Sequence, residues 1–205
     1  MLNDPLVLIL MYFILPLWLI VGFADWLCHR ASHIESTSGA KESILHLLQF
    51  GEVGIALLAA LFLDINAGII AFMIAMFFVH EATALWDVSY AVTARRVTPI
   101  EQHIHSFLEM IPLIAIICVV ALHWGQFQAL FGFGGEGAEF GLAWKAEPLP
   151  VIYVLVLMAF ILVLAVVPYV EELIRGLRAN GGALVPPLAG SIPPGPPPAR
   201  SPRGD

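Results

Sequence analysis

Long apolar runs are the feature that most constrains the fold of this 205-residue chain. Apolar residues make up 60% of it, charged residues only 12%, and the mean hydropathy is +0.88. A water-soluble domain usually carries about 25% charged residues, whereas a helix of about 20 apolar residues can cross the hydrocarbon core of a bilayer. We therefore expect an all-α, polytopic membrane helix bundle. The net charge of −7 gives no reason to expect nucleic acid as a partner.

Five segments are apolar and long enough to be transmembrane helices. They cover residues 5–27, 43–63, 67–86, 98–124 and 149–170. The first residues of the chain lack the basic segment that is typical of a signal peptide, so we expect the first run to remain in the protein.

The chain divides into a helical domain and a tail. The transmembrane domain is predicted to cover residues 1–179, and the tail residues 180–205. The tail is rich in Pro, Gly and Ala and contains the run Pro-Pro-Gly-Pro-Pro-Pro at 193–198. Such a segment has little apolar surface to bury, so we expect it to be disordered or polyproline-like.

Basic residues in the loops predict the orientation of the helices, because Lys and Arg are enriched on the cytoplasmic side. They follow the first, third and fifth spans, and the turn between the second and third spans has none. The loop between the fourth and fifth spans has one lysine, Lys145, among three glutamates. The N-terminus is therefore expected outside and the C-terminus in the cytoplasm, with the protein in a bacterial inner membrane.

Six of the seven histidines lie near the predicted cytoplasmic ends of the first four spans, together with most of the acidic residues in or beside the spans. Residues four or seven apart share one face of a helix, so each of these spans presents imidazole and carboxylate groups together. The candidate metal ligands are Asp25, His29, His33, Glu42, His46, His80, Asp87, Glu101, His105 and Glu109. An ionisable group in a membrane helix costs about 3 kcal/mol on insertion scales and usually pairs or functions. A shared metal site facing the cytoplasm is favoured over a metal-free polar cavity that handles protons or lipid.

Three further ionisable residues lie off these faces. They are Glu52, Glu81 and His103, which we expect to orient the ligands, or to bind metal only where the helix is irregular. His123 lies at the opposite boundary, next to Trp124, and is expected to be an interfacial residue. Cys28 and Cys118 are expected to be small buried residues without a disulfide bond.

Mixed imidazole and carboxylate ligands suit iron, manganese or zinc. Ten candidate ligands exceed what a single zinc ion needs, which favours two metal ions. Iron is favoured for an oxidative reaction and zinc for a hydrolytic one.

The sequence Asp25-Trp26-Leu27-Cys28-His29-Arg30-Ala31-Ser32-His33 resembles the first histidine box of the membrane fatty acid hydroxylase and sterol desaturase superfamily. In that family, histidine boxes bind a dinuclear metal centre on the cytoplasmic side, and the enzymes use dioxygen to hydroxylate or desaturate lipid chains. The resemblance implies His29 and His33 as ligands, with Asp25 as their partner. The later boxes differ: the segment 46–50 has one histidine where the family has His-x-x-His-His, and 101–105 lacks the doubled histidine.

These observations favour a metal-dependent, oxygen-using oxidoreductase that acts on a lipid-like or other hydrophobic small molecule. Electrons would come from a separate donor, because the chain has no flavin or nicotinamide motif. The alternatives are a non-enzymatic metal-binding or accessory membrane subunit, a membrane haem or electron-transfer subunit, and a zinc hydrolase. Assembly as a homo-oligomer or within a larger membrane complex is compatible with the sequence.

Overall fold

The computed structural model describes residues 4–186, and within this range the protein consists of helices joined by turns and loops. In chain order the helices are α1 (Pro5–Ala31), α2 (Ile34–Thr37), α3 (Ala40–Phe62), α4 (Ala67–Ala94), α5 (Pro99–Leu122), α6 (Trp124–Leu130) and α7 (Val151–Ala179). Five of them, namely α1, α3, α4, α5 and α7, are long and apolar enough to cross a membrane. The prediction of an all-α bundle with five candidate membrane helices is therefore confirmed.

Side-chain caps mark the beginnings of three long helices. Asp4 accepts a hydrogen bond from the backbone N–H of Leu6 before α1, and Pro5 occupies the first helical turn. Asn66 caps α4 and Thr98 caps α5 in the same way. These residues satisfy backbone N–H groups that have no partner inside the helix.

Two of the three prolines inside the long helices are accommodated by π-helical turns; the third, Pro112, lies within α5. The turn Leu10–Ile14 in α1 comes just before Pro16, and Leu162–Val166 in α7 comes just before Pro168. Proline has no N–H to donate within the helix, and the wider turn re-pairs carbonyl groups that proline leaves free. Both helices therefore continue past their prolines.

Helices α4 and α7 extend furthest beyond the predicted apolar spans. The third predicted span ends at residue 86, whereas α4 continues to Ala94, and the fifth ends at 170, whereas α7 continues to Ala179. Each extension carries a fully buried acidic residue, Asp87 in α4 and Glu172 in α7. Because these carboxylates have partners inside the bundle, polar residues continue the helices instead of ending them.

The long helices bring their ends together in a common arrangement. We call the end of the bundle where α1, α4 and α7 finish and α3 and α5 begin the polar end, and the opposite end the loop end. At the polar end α7 packs closely on α3, since a Cβ atom at Gly176 would lie 3.0 Å from the backbone of Ala40. A glycine at this position therefore brings the buried face of α7 against α3.

The predicted tail of residues 180–205 lies mostly outside the described residues. Its first part, up to Pro186, forms turns against the polar end. The backbone N–H of Gly182 donates to the carbonyl of Leu177 and closes the end of α7, and the N–H of Lys41 donates to the carbonyl of Leu184. This part of the chain therefore covers the beginning of α3.

Candidate metal centre

The polar end of the bundle contains a group of ionisable side chains in mutual contact, which we call the polar cluster. Its members are Asp25, His29, Glu42, His46, Asp87, Arg95, Glu101, His105 and Glu172. All five long helices and the turn between α4 and α5 contribute to it. Each of these side chains is buried except that of His105, which is 15% exposed.

One carboxylate, Glu172 of α7, holds two histidine rings. Its Oε2 lies 3.0 Å from Nδ1 of His29, and its Oε1 lies 2.8 Å from Nδ1 of His46. The two rings are stacked, with centroids 4.3 Å apart and planes 9° from parallel. Because an ionised carboxylate only accepts hydrogen bonds, both Nδ1 atoms must donate. The Nε2 atoms of the neutral rings then carry lone pairs that are free to bind a cation.

The Nε2 atom of His29 faces two carboxylates. It lies 3.4 Å from Oδ2 of Asp25 and 3.5 Å from Oε1 of Glu101. The other oxygen of Asp25 lies 3.3 Å from Nε2 of His105. Ligand atoms of Asp25, His29 and His105 all lie within 4.8 Å of one another, which is close enough for a single metal ion to bind all three.

The Nε2 atom of His46 has a matching environment. It lies 3.2 Å from Oδ2 of Asp87 and 3.9 Å from Oε1 of Glu42. Gln49 donates a 3.1 Å hydrogen bond to Asp87 and fixes the orientation of that carboxylate. Ligand atoms of His29, Glu42 and His46 form a second group within 4.8 Å.

Several of these buried atoms have no hydrogen-bond partner within residues 4–186. They are Nε2 of His29 and His46 and Oδ1 of Asp25 and Asp87. In a neutral ring held this way, Nε2 has no hydrogen to donate to a carboxylate oxygen. Each close approach at Nε2 therefore brings two hydrogen-bond acceptors together, the ring nitrogen and the carboxylate oxygen. Buried polar groups are nearly always paired, and acceptors that face one another are stabilised by a proton or a metal cation between them.

Arg95 closes the cluster at the polar end. Its guanidinium binds Glu42, with Nε 3.1 Å from Oε2, and Glu101, with Nη1 3.1 Å from Oε2. The side chain is only 3% exposed. Burial opposes the charge of Arg95, but its hydrogen bonds to Glu42 and Glu101 outweigh that effect and raise its pKa above the ordinary value. Arg95 is therefore a permanent cation that neutralises part of the acidic charge.

The formal charge of the cluster is strongly negative. Five buried carboxylates face a single guanidinium, which leaves a charge of −4 when the imidazoles are neutral. Charge of one sign at such density is very unfavourable away from water. Two divalent cations would neutralise it.

Two cavities reach the cluster. A small one of about 50 Å³ is bordered by Asp25, His46, His105 and Tyr169, and by His80. A wider one of about 310 Å³ lies between the ends of α4 and α5 and touches Asp87, Arg95 and His105. The cluster is thus accessible both from the interior of the bundle and from the polar end.

His33 is one predicted metal ligand that the structure places away from the cluster. Helix α1 ends at Ala31, so the predicted face carrying Asp25, His29 and His33 does not continue to its third member. The side chain of His33 is 75% exposed, and its Nδ1 lies 3.2 Å from Glu35. The expectation that His33 shares a site with His29 is wrong.

His80 also lies apart from the two groups of ligand atoms. It is buried one level deeper in the bundle, with Nδ1 3.9 Å from Oε2 of Glu52, and neither ring nitrogen has a hydrogen-bond partner among the described residues. Glu52 accepts a 2.8 Å hydrogen bond from Thr83. These residues form a separate pair, which we call the deep pair, His80 and Glu52.

The three remaining predicted residues lie on the outside of the cluster. His103 is exposed and its ring contacts Phe107, so it points away from the cluster, as helical geometry predicts. Glu109 lines the wider cavity beside Asp87 and His105. Glu81 is half-buried and belongs to neither group of ligand atoms.

Two members of the cluster were not among the predicted site residues. Glu172 lies just beyond the predicted end of the fifth span, and Arg95 lies in the predicted loop after the third span, where charged residues are usually solvated. The spacing of Tyr169, Glu172 and Gly176 does place all three on one face of α7, and all three are buried. That face was the available signal for Glu172.

Comparison of the chain with protein-family models, curated proteins and solved structures gives no match. The resemblance of residues 25–33 to a histidine box stays a prediction. What the cluster can bind follows from its donor atoms: imidazole nitrogens and carboxylate oxygens suit iron, manganese or zinc.

Proposed function

We propose that this protein is an integral membrane metalloprotein with a dinuclear centre, for which iron is the favoured metal, and that it acts as an oxygen-using oxidoreductase on a hydrophobic substrate. The observation that supports it most is the burial of five carboxylates against one guanidinium, a formal charge of −4 with neutral imidazoles, combined with imidazole nitrogens that face carboxylate oxygens. Two divalent metal ions would satisfy both features at once.

The cluster offers two neighbouring positions for metal. The first would use His29, Asp25, Glu101 and His105, and the second His46, Asp87 and Glu42. Four carboxylates with imidazoles on facing helices is the donor composition of di-iron sites in helical bundles. Glu172 would act as the shared carboxylate that fixes the orientation of both stacked rings, a role that usually affects metal affinity strongly.

Bound iron would supply the oxidative chemistry, and the protein would supply position and exclusion of water. The small cavity next to His46 and His105 is bordered by Leu19, Phe50 and Leu108, so a reacting group there would be surrounded by apolar side chains. The wider cavity at the polar end is the route by which electrons from a separate donor would reach the cluster. The basic residues near this end favour a cytoplasmic orientation in a bacterial inner membrane.

The stacked histidines argue against a haem subunit. Two axial imidazoles bind a haem iron from opposite sides, each with one ring nitrogen directed at the metal. The rings of His29 and His46 instead stack on each other, with centroids 4.3 Å apart, and both Nδ1 atoms are held by one carboxylate.

A second candidate is non-enzymatic metal binding. It is favoured by His29, Glu42 and Glu101, which are fully buried and line neither of the two cavities, so that a metal ion held by them alone would not meet a substrate.

Elemental analysis of the purified protein tests the proposal. We expect two iron equivalents per chain, and oxygen consumption when a chemical reductant and a lipid extract are supplied. A His29→Ala, His46→Ala double variant should lose the metal, while the matched control His33→Ala should keep it because His33 is exposed. A metal-free wild-type protein would refute the proposal, and stoichiometric metal without oxygen consumption would favour the second candidate.

A further inference from the structure

An apolar cavity of about 200 Å³ runs inside the bundle between the cluster and the loop end. It lies among α1, α3, α4 and α5, and most of its wall is aliphatic or aromatic. Representative lining residues are Leu10, Ile14, Leu57, Met76 and Ile116. Cavities with such walls exclude water and bind apolar molecules.

This apolar cavity adjoins the small cavity at the cluster, because Trp18 and Val53 line both, and together the two cavities mark a path through the bundle. Along α3 the path extends from His46 to Leu61, which is about 22 Å at a rise of about 1.5 Å per residue. The hydrocarbon core of a bilayer is about 30 Å thick. The path therefore suits an extended chain that lies parallel to the helices.

The loop end of the cavity is polar. Lys145, His123 and Glu147 line it there. Lys145 is half-buried and forms no ion pair within the described part of the chain, and burial lowers its pKa although Asp64 acts in the opposite direction. Glu147 is exposed, so water screens its charge. A negatively charged group beside Lys145 would relieve the unfavourable burial of its ammonium.

The cavities at the polar end are unfavourable for such a group. Arg95, the one buried cation of the polar cluster, already binds Glu42 and Glu101, and Asp25 and Asp87 border the cavities there. An anionic headgroup in these cavities would lie next to the carboxylate of Asp25 or Asp87, which would repel it. An anionic headgroup is therefore favoured at the loop end of the path and disfavoured at the end next to the cluster.

We propose that the apolar cavity binds a single-chain amphiphile with an anionic headgroup, with the headgroup at Lys145 and the methyl end next to His46 and His105. Binding in this orientation does not require metal. Its chemical consequence, oxidation near the methyl end of the chain, rests on the proposed function.

Two photoreactive palmitate analogues test the orientation. One carries a diazirine near the methyl end and the other near the carboxylate, and each is irradiated with the full-length protein in detergent micelles. We expect the methyl-end probe to label the region around Trp18 and Phe50, and the carboxylate-end probe to label the region around Leu122 and Leu149. A reversed pattern, or no specific labelling, would overturn the proposal.

Matched variants separate the cavity from nonspecific contact with the surface. Ala56→Trp fills the cavity and should abolish labelling, whereas Ile55→Trp, on the exposed side of the same helix, should leave it unchanged. Lys145→Met should weaken binding about tenfold, as expected for the loss of one charge-assisted hydrogen bond at a half-exposed site. Lys145→Arg should retain most of it. Equal labelling of Lys145→Met and wild type would refute the headgroup assignment.

Competition tests the charge of the headgroup. Unlabelled palmitate should displace the probes, whereas methyl palmitate, which has the same chain without the charge, should not. All these measurements are made on the protein as purified and are repeated after metal is removed. A lack of labelling would contradict the amphiphile site without affecting the metal and oxygen measurements. A protein without metal would contradict the proposed function without affecting the labelling.

Discussion

The polar cluster and the deep pair contain the same residue types at similar burial, yet they are organised differently. In the cluster, His29 and His46 each donate through Nδ1 to Glu172 and face carboxylates through Nε2. In the deep pair, His80 has a single carboxylate nearby, at 3.9 Å, and neither of its nitrogens is hydrogen-bonded among the described residues.

The difference shows what distinguishes a candidate ligand from a buried histidine. A metal-binding imidazole usually donates its other nitrogen to a carboxylate or carbonyl, which fixes the tautomer and the ring orientation. His29 and His46 meet this condition through Glu172, and His80 does not. Burial and residue type are therefore insufficient, and the second hydrogen bond is the informative feature.

The largest expected effect is the loss of metal from the cluster. His46→Ala should remove at least one of the two metal equivalents, since it deletes the nitrogen that faces Asp87 and Glu42. His80→Ala should retain both, because the deep pair lies outside the two groups of ligand atoms. Elemental analysis of the two variants measures the contrast. Equal metal loss in both would remove the distinction between the cluster and the deep pair.

The next effect is on stability. Arg95→Met leaves Glu42 and Glu101 without their buried cation, and breaking a buried ion pair by removing one partner costs about 3–5 kcal/mol. Denaturation of metal-free protein in mixed detergent micelles should show this loss. Metal should restore part of it by binding the freed carboxylates.

Arg96→Met is the control for Arg95→Met. Arg96 is its exposed neighbour, so its replacement should change the free energy of unfolding by less than about 0.5 kcal/mol. If the two variants are equally stable, Arg95 is not the buried counter-charge of the cluster.

A smaller effect is expected from the shared carboxylate. Glu172→Gln retains the size of the side chain but replaces one acceptor oxygen by an amide donor. Because each oxygen of Glu172 accepts from one histidine, the new side chain cannot accept hydrogen bonds from both His29 and His46. Metal affinity should fall about 10- to 100-fold, as is usual when a group that orients metal ligands is lost. Glu171→Gln, one residue earlier and 36% exposed, should leave the affinity unchanged. Identical affinities for both variants would show that Glu172 does not orient the rings.

Local spacing allowed much of the fold and part of the cluster to be predicted. The five long helices follow from apolar length alone. The pairs on α1, α3 and α5 follow from the four-residue spacing of each carboxylate and histidine, for example Asp25 and His29 or Glu42 and His46. Each pair lies within one helix, so no tertiary information is needed to place its members on one face.

The rest depends on contacts between distant parts of the chain. Glu172 is 143 residues from His29 and 126 from His46, and spacing along one helix carries no information about such contacts. In the sequence Arg95 is an ordinary basic residue of the loop after the third span. Only the packing of α3 and α5 reveals that its side chain is buried. The prediction that His33 lies on the same face as Asp25 and His29 was wrong because α1 ends in a turn after Ala31. The four-residue spacing does not indicate where the helix ends.

The smallest expected effect concerns the deep pair. Thr83→Val removes the 2.8 Å hydrogen bond to Glu52 and leaves a buried carboxylate oxygen without that donor, which should cost about 1–3 kcal/mol of stability. The metal content should stay at two equivalents, because Glu52 belongs to neither group of ligand atoms. Thr93→Val, at an exposed position of the same helix, controls for the loss of a hydroxyl group. If Thr83→Val instead lowers the metal content, then Glu52 and His80 act with the cluster as one site, and the separation of the two regions fails.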